Sequence, residues 1–211
     1  MGQLALPYRL WQYNIMSKPD SSVKKRERLS PEERREQLLE AAITAYAQQG
    51  VERAGHADIS KLTSASTATV FNYFPTREAL TDAVLAYASG TLMDAISIDR
   101  KSNVSSSSEV LTELLRRFDE LIERKPDLIK VVLNWSVSFG PSVRPQYLAY
   151  QDAVLSVLHS AVGKGETGEV GERAEARLIY AASISYATMK LDKSPDAVIT
   201  EFVKRVIGIV E

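Results

Sequence analysis

Apolar residues recur at helical spacing along almost the whole chain, and no stretch keeps the strict alternation of a strand. Leu38, Leu39, Ala42, Ile43 and Tyr46 make one such stripe. Ahead of it, Ser30-Pro31-Glu32-Glu33 reads as a helix start, with Ser as N-cap, Pro at the first helical position and Glu three residues on; Gly50 closes the helix. A long helix is predicted from Thr76 to about Ile98, with Leu80, Val84, Leu85, Leu92 and Ile96 inward. Another spans Glu109 to Lys125, burying Val110, Leu114, Phe118 and Leu121. Four more are read over 127–139, 145–163, 173–190 and 195–210. A serine-rich break at 99–108, Gly140-Pro141, the segment 163–171 and Ser194-Pro195 separate them. The pattern predicts an all-α protein of about nine helices, without internal repeats.

Between the first stripe and the long helix lies the most informative stretch, Gly55 to Leu80. Ala57 to Thr63, with Ile59 and Leu62, is followed by the small polar break Ser64-Ala65-Ser66 and then by Thr67 to Phe74. Two short helices joined by a tight turn form a helix-turn-helix. Ser66 is a good N-cap for the second helix, Pro75 stops it, and Thr76 caps the next. Spacing turns Val70, Phe71 and Phe74 inward and leaves Thr67, Ala68, Asn72 and Tyr73 outward. Those outward types suit a major groove. Hydroxyls reach phosphates, alanine meets a thymine methyl, and asparagine pairs with adenine N6 and N7. A solvated helix with an aromatic core stripe is the plainer reading of the same residues, but the tight turn and the basic segment upstream favour a DNA reader.

The net charge is −1, so the distribution of charge carries more than its sum. Lys24, Lys25, Arg26 and Arg28 stand against the single acid Glu27, in a stretch without apolar periodicity. Such an arm either remains a solvated charge run or follows a DNA groove. At 211 residues, 45% hydrophobic and 25% charged, the chain can bury one substantial core with a small attached domain. The absence of cysteine removes disulfides and thiolate metal sites. No apolar run is long enough to span a bilayer, and Pro7 and Arg9 interrupt the opening residues, which do not read as a signal peptide. Leu6 spoils a myristoylation pattern. A cytoplasmic location is expected.

The segments GHADI, ATVFNYFPTRE and RERLSP resemble the TetR-family transcriptional regulators, and within them the quorum-sensing master regulators of vibrios, the LuxR/HapR/SmcR type. A looser resemblance, through LNWSVS and the GEV at Glu169, runs into the rest of the chain. It implies a TetR-like fold: a flexible arm over 1–29, a three-helix DNA-binding domain over 30–76 and a helical ligand-binding and dimerisation domain over 77–211. Met16 opens a segment closer to the family's start, so residues 1–15 are either a mis-assigned start or an extension. The resemblance puts Arg26 and Arg28 in flanking minor grooves. The expected interface adds Asn72 and Thr67 on bases, Thr69, Tyr73 and Arg77 on phosphates, and Ser66 and Ala68 beside them. The expected partners are a pseudo-palindromic operator in double-stranded DNA, a second copy of the chain and a small apolar or amphipathic effector. A protein-binding helical adaptor without DNA binding is the alternative.

Trp135, Phe139, Tyr147 and Tyr150 are set among small and aliphatic residues, as core packing or as the wall of a cavity between helices. The resemblance favours the cavity and lines it with Leu92, Met93, Ile96, Val132, Trp135, Tyr147, Tyr150 and Gln151. Gln151 departs from the asparagine that the vibrio regulators carry there, which leaves the ligand's identity open. Leu178, Ala181, Ala182, Ser185 and Ala187 offer a small-residue surface, and Phe202, Val203, Val206, Ile207 and Val210 an apolar stripe. Either they bury each other within one chain or they pair across a two-fold axis as a four-helix interface. His56 and His159 are far apart, and no phosphate loop, HExxH or nucleophile elbow is present. Catalysis, metal and cofactor are not expected.

Overall fold

A computed structural model describes residues 29–97, 106–162 and 168–208. Among these, nine helices and no strands are found: α1 (Pro31–Gln49), α2 (His56–Leu62), α3 (Thr67–Tyr73), α4 (Arg77–Ile96), α5 (Ser107–Arg124), α6 (Pro126–Ser136), α7 (Arg144–Val162), α8 (Gly168–Leu191) and α9 (Asp196–Ile207). The all-α expectation holds.

α1 begins on the reciprocal cap read from the sequence. Glu33 N donates to Ser30 Oγ at 3.1 Å and Ser30 N to Glu33 Oε2 at 2.8 Å, which holds the Glu33 carboxyl below its usual range. Its stripe, Leu38 to Tyr46, is buried. Gly50, at φ 86°, turns the chain out of the helix in a conformation open to glycine. α2 and α3 close over this face through Ile59, Val70 and Phe74, all nearly inaccessible.

α4 runs from this trio into the larger bundle, with Leu80, Val84, Leu85, Leu92 and Ile96 buried as expected. The rest of the bundle packs most extensively as α7 on α8, while α6 lies along α1. On α5 the buried residues are Leu111, Leu114, Leu121 and Ile122; Val110 and Phe118, expected inside, are half-buried. α6 ends at Ser136 rather than Phe139, because the chain turns at Val137, with Ser138 N donating to Trp135 O at 3.0 Å, ahead of Gly140-Pro141. α8 starts five residues before the expected Arg173, where an i,i+4 pair between Arg173 and Glu169 at 2.7 Å supports the added turn.

Candidate nucleic-acid interface

The reading head is built around α3, a helix of two turns positioned by local hydrogen bonds. Ser66 Oγ accepts from Thr69 N at 3.1 Å and shares a second bond with the Thr69 hydroxyl at 2.9 Å. The preceding turn is closed by the Thr63 hydroxyl, which donates to Ile59 O at 3.0 Å and accepts from Ala65 N at 3.3 Å. Thr67 Oγ1 donates to Ser60 Oγ at 3.1 Å, tying α3 to α2. Thr76 then caps α4 by accepting from Ala79 N at 3.1 Å.

Successive helical residues are rotated by about 100°. Val70 and Phe74, four apart, therefore share the inward line, and Asn72 lies on the opposite side with Ala68 beside it; both are exposed. Phe71, expected inward, is corrected. Its ring is 45% exposed and stacks on His56, with centroids 3.8 Å apart and planes 9° apart. A helix this short packs along one line only, and the neighbouring imidazole offers Phe71 a partner on the flank. His56 is buried and its Nε2–H donates to Phe74 O at 2.7 Å. That carbonyl ends α3, so the imidazole supplies a donor that the helix itself cannot. His56 thus anchors the reader as a packed core histidine.

The other expected interface residues divide by exposure. Ser66 is open, whereas Thr67, Thr69 and Tyr73 are half-buried, the two threonines with hydroxyls engaged locally. Arg77 is exposed, but its guanidinium donates to the Glu52 carbonyl. Leu62 of α2 is exposed too, at 47%. Arg26 and Arg28 lie outside the described residues.

The head is joined to the bundle through α6 as well as α4. Asn134 Nδ2 donates to the last-turn carbonyls of α1, Ala47 O at 3.3 Å and Tyr46 O at 3.5 Å, and the Thr44 hydroxyl donates to Asp127 at 3.2 Å. Gly140 N donates to Glu52 Oε1 at 3.1 Å. On the α4 side the Tyr46 and Thr81 hydroxyls lie 2.8 Å apart, and burial pushes the Tyr46 phenol up, keeping it neutral.

A cavity of about 120 Å³ opens between α4, α5, α6, α7, α8 and α9. Of the expected lining, Leu92, Ile96, Val132 and Tyr150 face it; Met93, Trp135, Tyr147 and Gln151 do not. Trp135 and Tyr147 are core residues: the indole donates to Val143 O at 3.0 Å, and the Tyr147 hydroxyl lies 2.6 Å from that of Tyr180. Phe139 is 73% exposed, under the Arg144 guanidinium at 4.3 Å. Walls beyond that set come from α5, α8 and α9, including Phe118, Ile179 and Val203, and from further residues of α6 and α7 such as Ile129 and Val154. Their stripes were legible, but not their convergence.

On α8, Leu178, Ala181 and Ser185 lie exposed along one line, joined by Ala174 and Thr188. Ala182 is half-buried, and Ala187 is corrected: it points into the core, because it lies two residues off that line. No described residue of α9 is fully buried; Phe202, Val203, Val206 and Ile207 are half-buried. Val210 lies outside the described residues.

Comparison with known proteins adds sequence and fold to this geometry. The family described as bacterial regulatory proteins, tetR family, matches residues 38–84, from the middle of α1 into α4. The HTH-type transcriptional regulator LuxR of Vibrio harveyi is 36% identical over 156 residues, spanning 70% of this chain and 74% of that protein. The chain belongs to the TetR family. It is similar at greater distance to the nucleoid occlusion factor SlmA of Haemophilus influenzae, 23% identical over 122 residues, 57% of this chain and 56% of that one. A TetR-like transcriptional regulator from Rhodococcus sp. RHA1 shares the fold, with a TM-score of 0.73 at 13% identity over 87% of this chain and 96% of that one. The protein is therefore a TetR-family transcriptional regulator, a DNA-binding family whose members typically act as dimers, and not an enzyme. None of its described helices is long and apolar enough to cross a membrane.

Proposed function

We propose that the chain works in the cytoplasm as a homodimer that reads a pseudo-palindromic operator, with the domain division 1–29, 30–76 and 77–211. The observation that carries this reading is the pose of α3: Asn72 and Ala68 stand opposite the buried Val70 and Phe74, on a helix pinned by His56. In this reading Asn72 and Thr67 contact bases and Ala68 a thymine methyl, while Phe71 adds an apolar edge beside them. Ser66, Thr69, Tyr73 and Arg77 approach phosphates, with Thr67, Thr69 and Arg77 exchanging present partners for DNA. Arg26 and Arg28 enter flanking minor grooves.

The exposed line Leu178, Ala181 and Ser185 on α8, with α9 alongside, supports pairing of two copies as a four-helix interface. Resemblance to the LuxR type supports a role in quorum sensing. The cavity supports modulation by a small apolar or amphipathic effector. Ile129, Val132 and Leu133 of α6 face the cavity while Asn134 of the same helix grips α1, so occupancy and reader position share an element besides α4. An effector shifts the reader only as far as it prefers one arrangement over the other.

Asn72→Ala tests the base contact. It is expected to reduce discrimination among operator variants by roughly 1–3 kcal/mol while nonspecific binding stays nearly intact. Equal loss on every sequence in a mobility-shift series would refute base reading by Asn72.

A further inference from the structure

Resting on the effector reading above, we infer that the cavity takes an uncharged molecule with an apolar body and one hydrogen-bonding oxygen, which meets the hydroxyl of Tyr150. Among the described residues the walls are aliphatic or aromatic almost throughout and include no charged side chain. A charged ligand would leave water for a space without a counter-ion or a fixed dipole aimed at it, a transfer that disfavours binding strongly. An apolar body meets no such cost, since apolar cavities of comparable size remain dry and accept molecules such as benzene.

Four polar side chains among the described residues reach the lining, and three have their hydroxyls committed elsewhere. Tyr180 is bonded to Tyr147 at 2.6 Å, Tyr186 donates to Asp119 Oδ1 at 2.6 Å, and Ser183 donates to Tyr180 O at 2.7 Å. Tyr150 has no such partner among the described residues. Its ring is fixed, stacked on Trp135 at 5.4 Å and tilted against Tyr147 at 6.2 Å. Burial pushes its phenol well above the ordinary range, so the group stays a neutral donor and acceptor. A hydroxyl without a partner among the described residues, carried by a residue of an otherwise apolar wall, selects one oxygen on the ligand. α9 closes one side of the cavity with the half-buried Phe202, Val203 and Val206.

The stack on Trp135 also supplies a reporter. The chain has two tryptophans, and Trp11→Phe leaves Trp135 alone. Toluene, benzyl alcohol, benzoate and benzylammonium, similar in size and different in polarity, are titrated into the full chain carrying that change. Binding is followed by Trp135 fluorescence and by calorimetry. The expected order places benzyl alcohol ahead of toluene, with both charged compounds not binding. Tyr150→Phe, with its fold checked by circular dichroism, is expected to weaken benzyl alcohol roughly 2- to 10-fold, the worth of one hydrogen bond, and to leave toluene unchanged. Benzoate or benzylammonium binding as tightly as benzyl alcohol overturns the inference while the effector reading stands. So does a Tyr150→Phe chain that keeps the full preference for benzyl alcohol over toluene. Binding of none of the four to a folded chain overturns the inference and the effector reading together.

Discussion

His56→Ala removes the anchor of the recognition helix and leaves the identity of every residue placed on DNA unchanged, although it frees the flank of Phe71. Two losses add. The Phe74 carbonyl, accepting at 2.7 Å in a buried setting, is stranded, and an unsatisfied buried acceptor costs about 1–3 kcal/mol. The stack on Phe71 at 3.8 Å disappears, which removes about 0.5–1.5 kcal/mol beyond buried area. The expected destabilisation is about 1.5–4.5 kcal/mol, a large part of the usual stability of a domain. Urea unfolding at matched protein concentration measures it, since a dimer's stability depends on concentration. Hydrogen exchange localises it to the amides of Val70 and Phe74, which donate to Ser66 O and Val70 O at 3.1 and 2.9 Å. His56→Phe keeps a ring for the stack and loses only the hydrogen bond, so it falls about 1–3 kcal/mol below wild type. Pairing His56→Ala with Phe71→Ala isolates the stack as a coupling of about 1 kcal/mol. A His56→Ala chain within about 0.5 kcal/mol of wild type, with unchanged exchange in α3, would refute the anchoring role.

Removing residues 1–28 is expected to lower operator affinity and to reduce the salt dependence of binding by about two phosphate contacts, from Arg26 and Arg28; titrations across a salt series check it, and an unchanged slope counts against the arm. Leu178→Arg places a cation on a position 55% exposed in one copy, so each chain folds within about 0.5 kcal/mol of wild type. Across a two-fold interface the same change sets like charges against each other, and sedimentation is expected to show monomers. A Leu178→Arg dimer as tight as wild type would move the interface away from α8.

Features governed by neighbours in sequence were legible. Ser30 with Glu33, Ser66 before α3 and Thr76 before α4 each cap a helix through residues three apart, and each bond is present. The inward line of α1 followed from periodicity for the same reason. Phe71 departs from its expected place because periodicity over two turns does not say which of two adjacent apolar residues owns the core line, and its partner His56 lies 15 residues back. Ala187 shows the same limit on α8, where small residues populate more than one face. The resemblance puts the cavity around the aromatic cluster, yet the Trp135 indole is bonded to Val143 O and the Tyr147 hydroxyl meets that of Tyr180, and the open space extends to where α5, α8 and α9 converge. Convergence of six helices is a tertiary property that no local spacing encodes. The second grip on the reading head, from Asn134 and Gly140 to α1 and Glu52, joins positions more than eighty residues apart and left no sequence signal.

Whether two copies read one operator is decided by the mass of the complex on a palindromic duplex recovered by selection from random sequence. Two protomers per duplex are expected, on half-sites spaced by about 10–10.5 base pairs or a multiple, with binding weakened steeply when one half-site is scrambled. A strictly monomeric chain that retains no duplex even at low ionic strength would rule out dimeric operator reading.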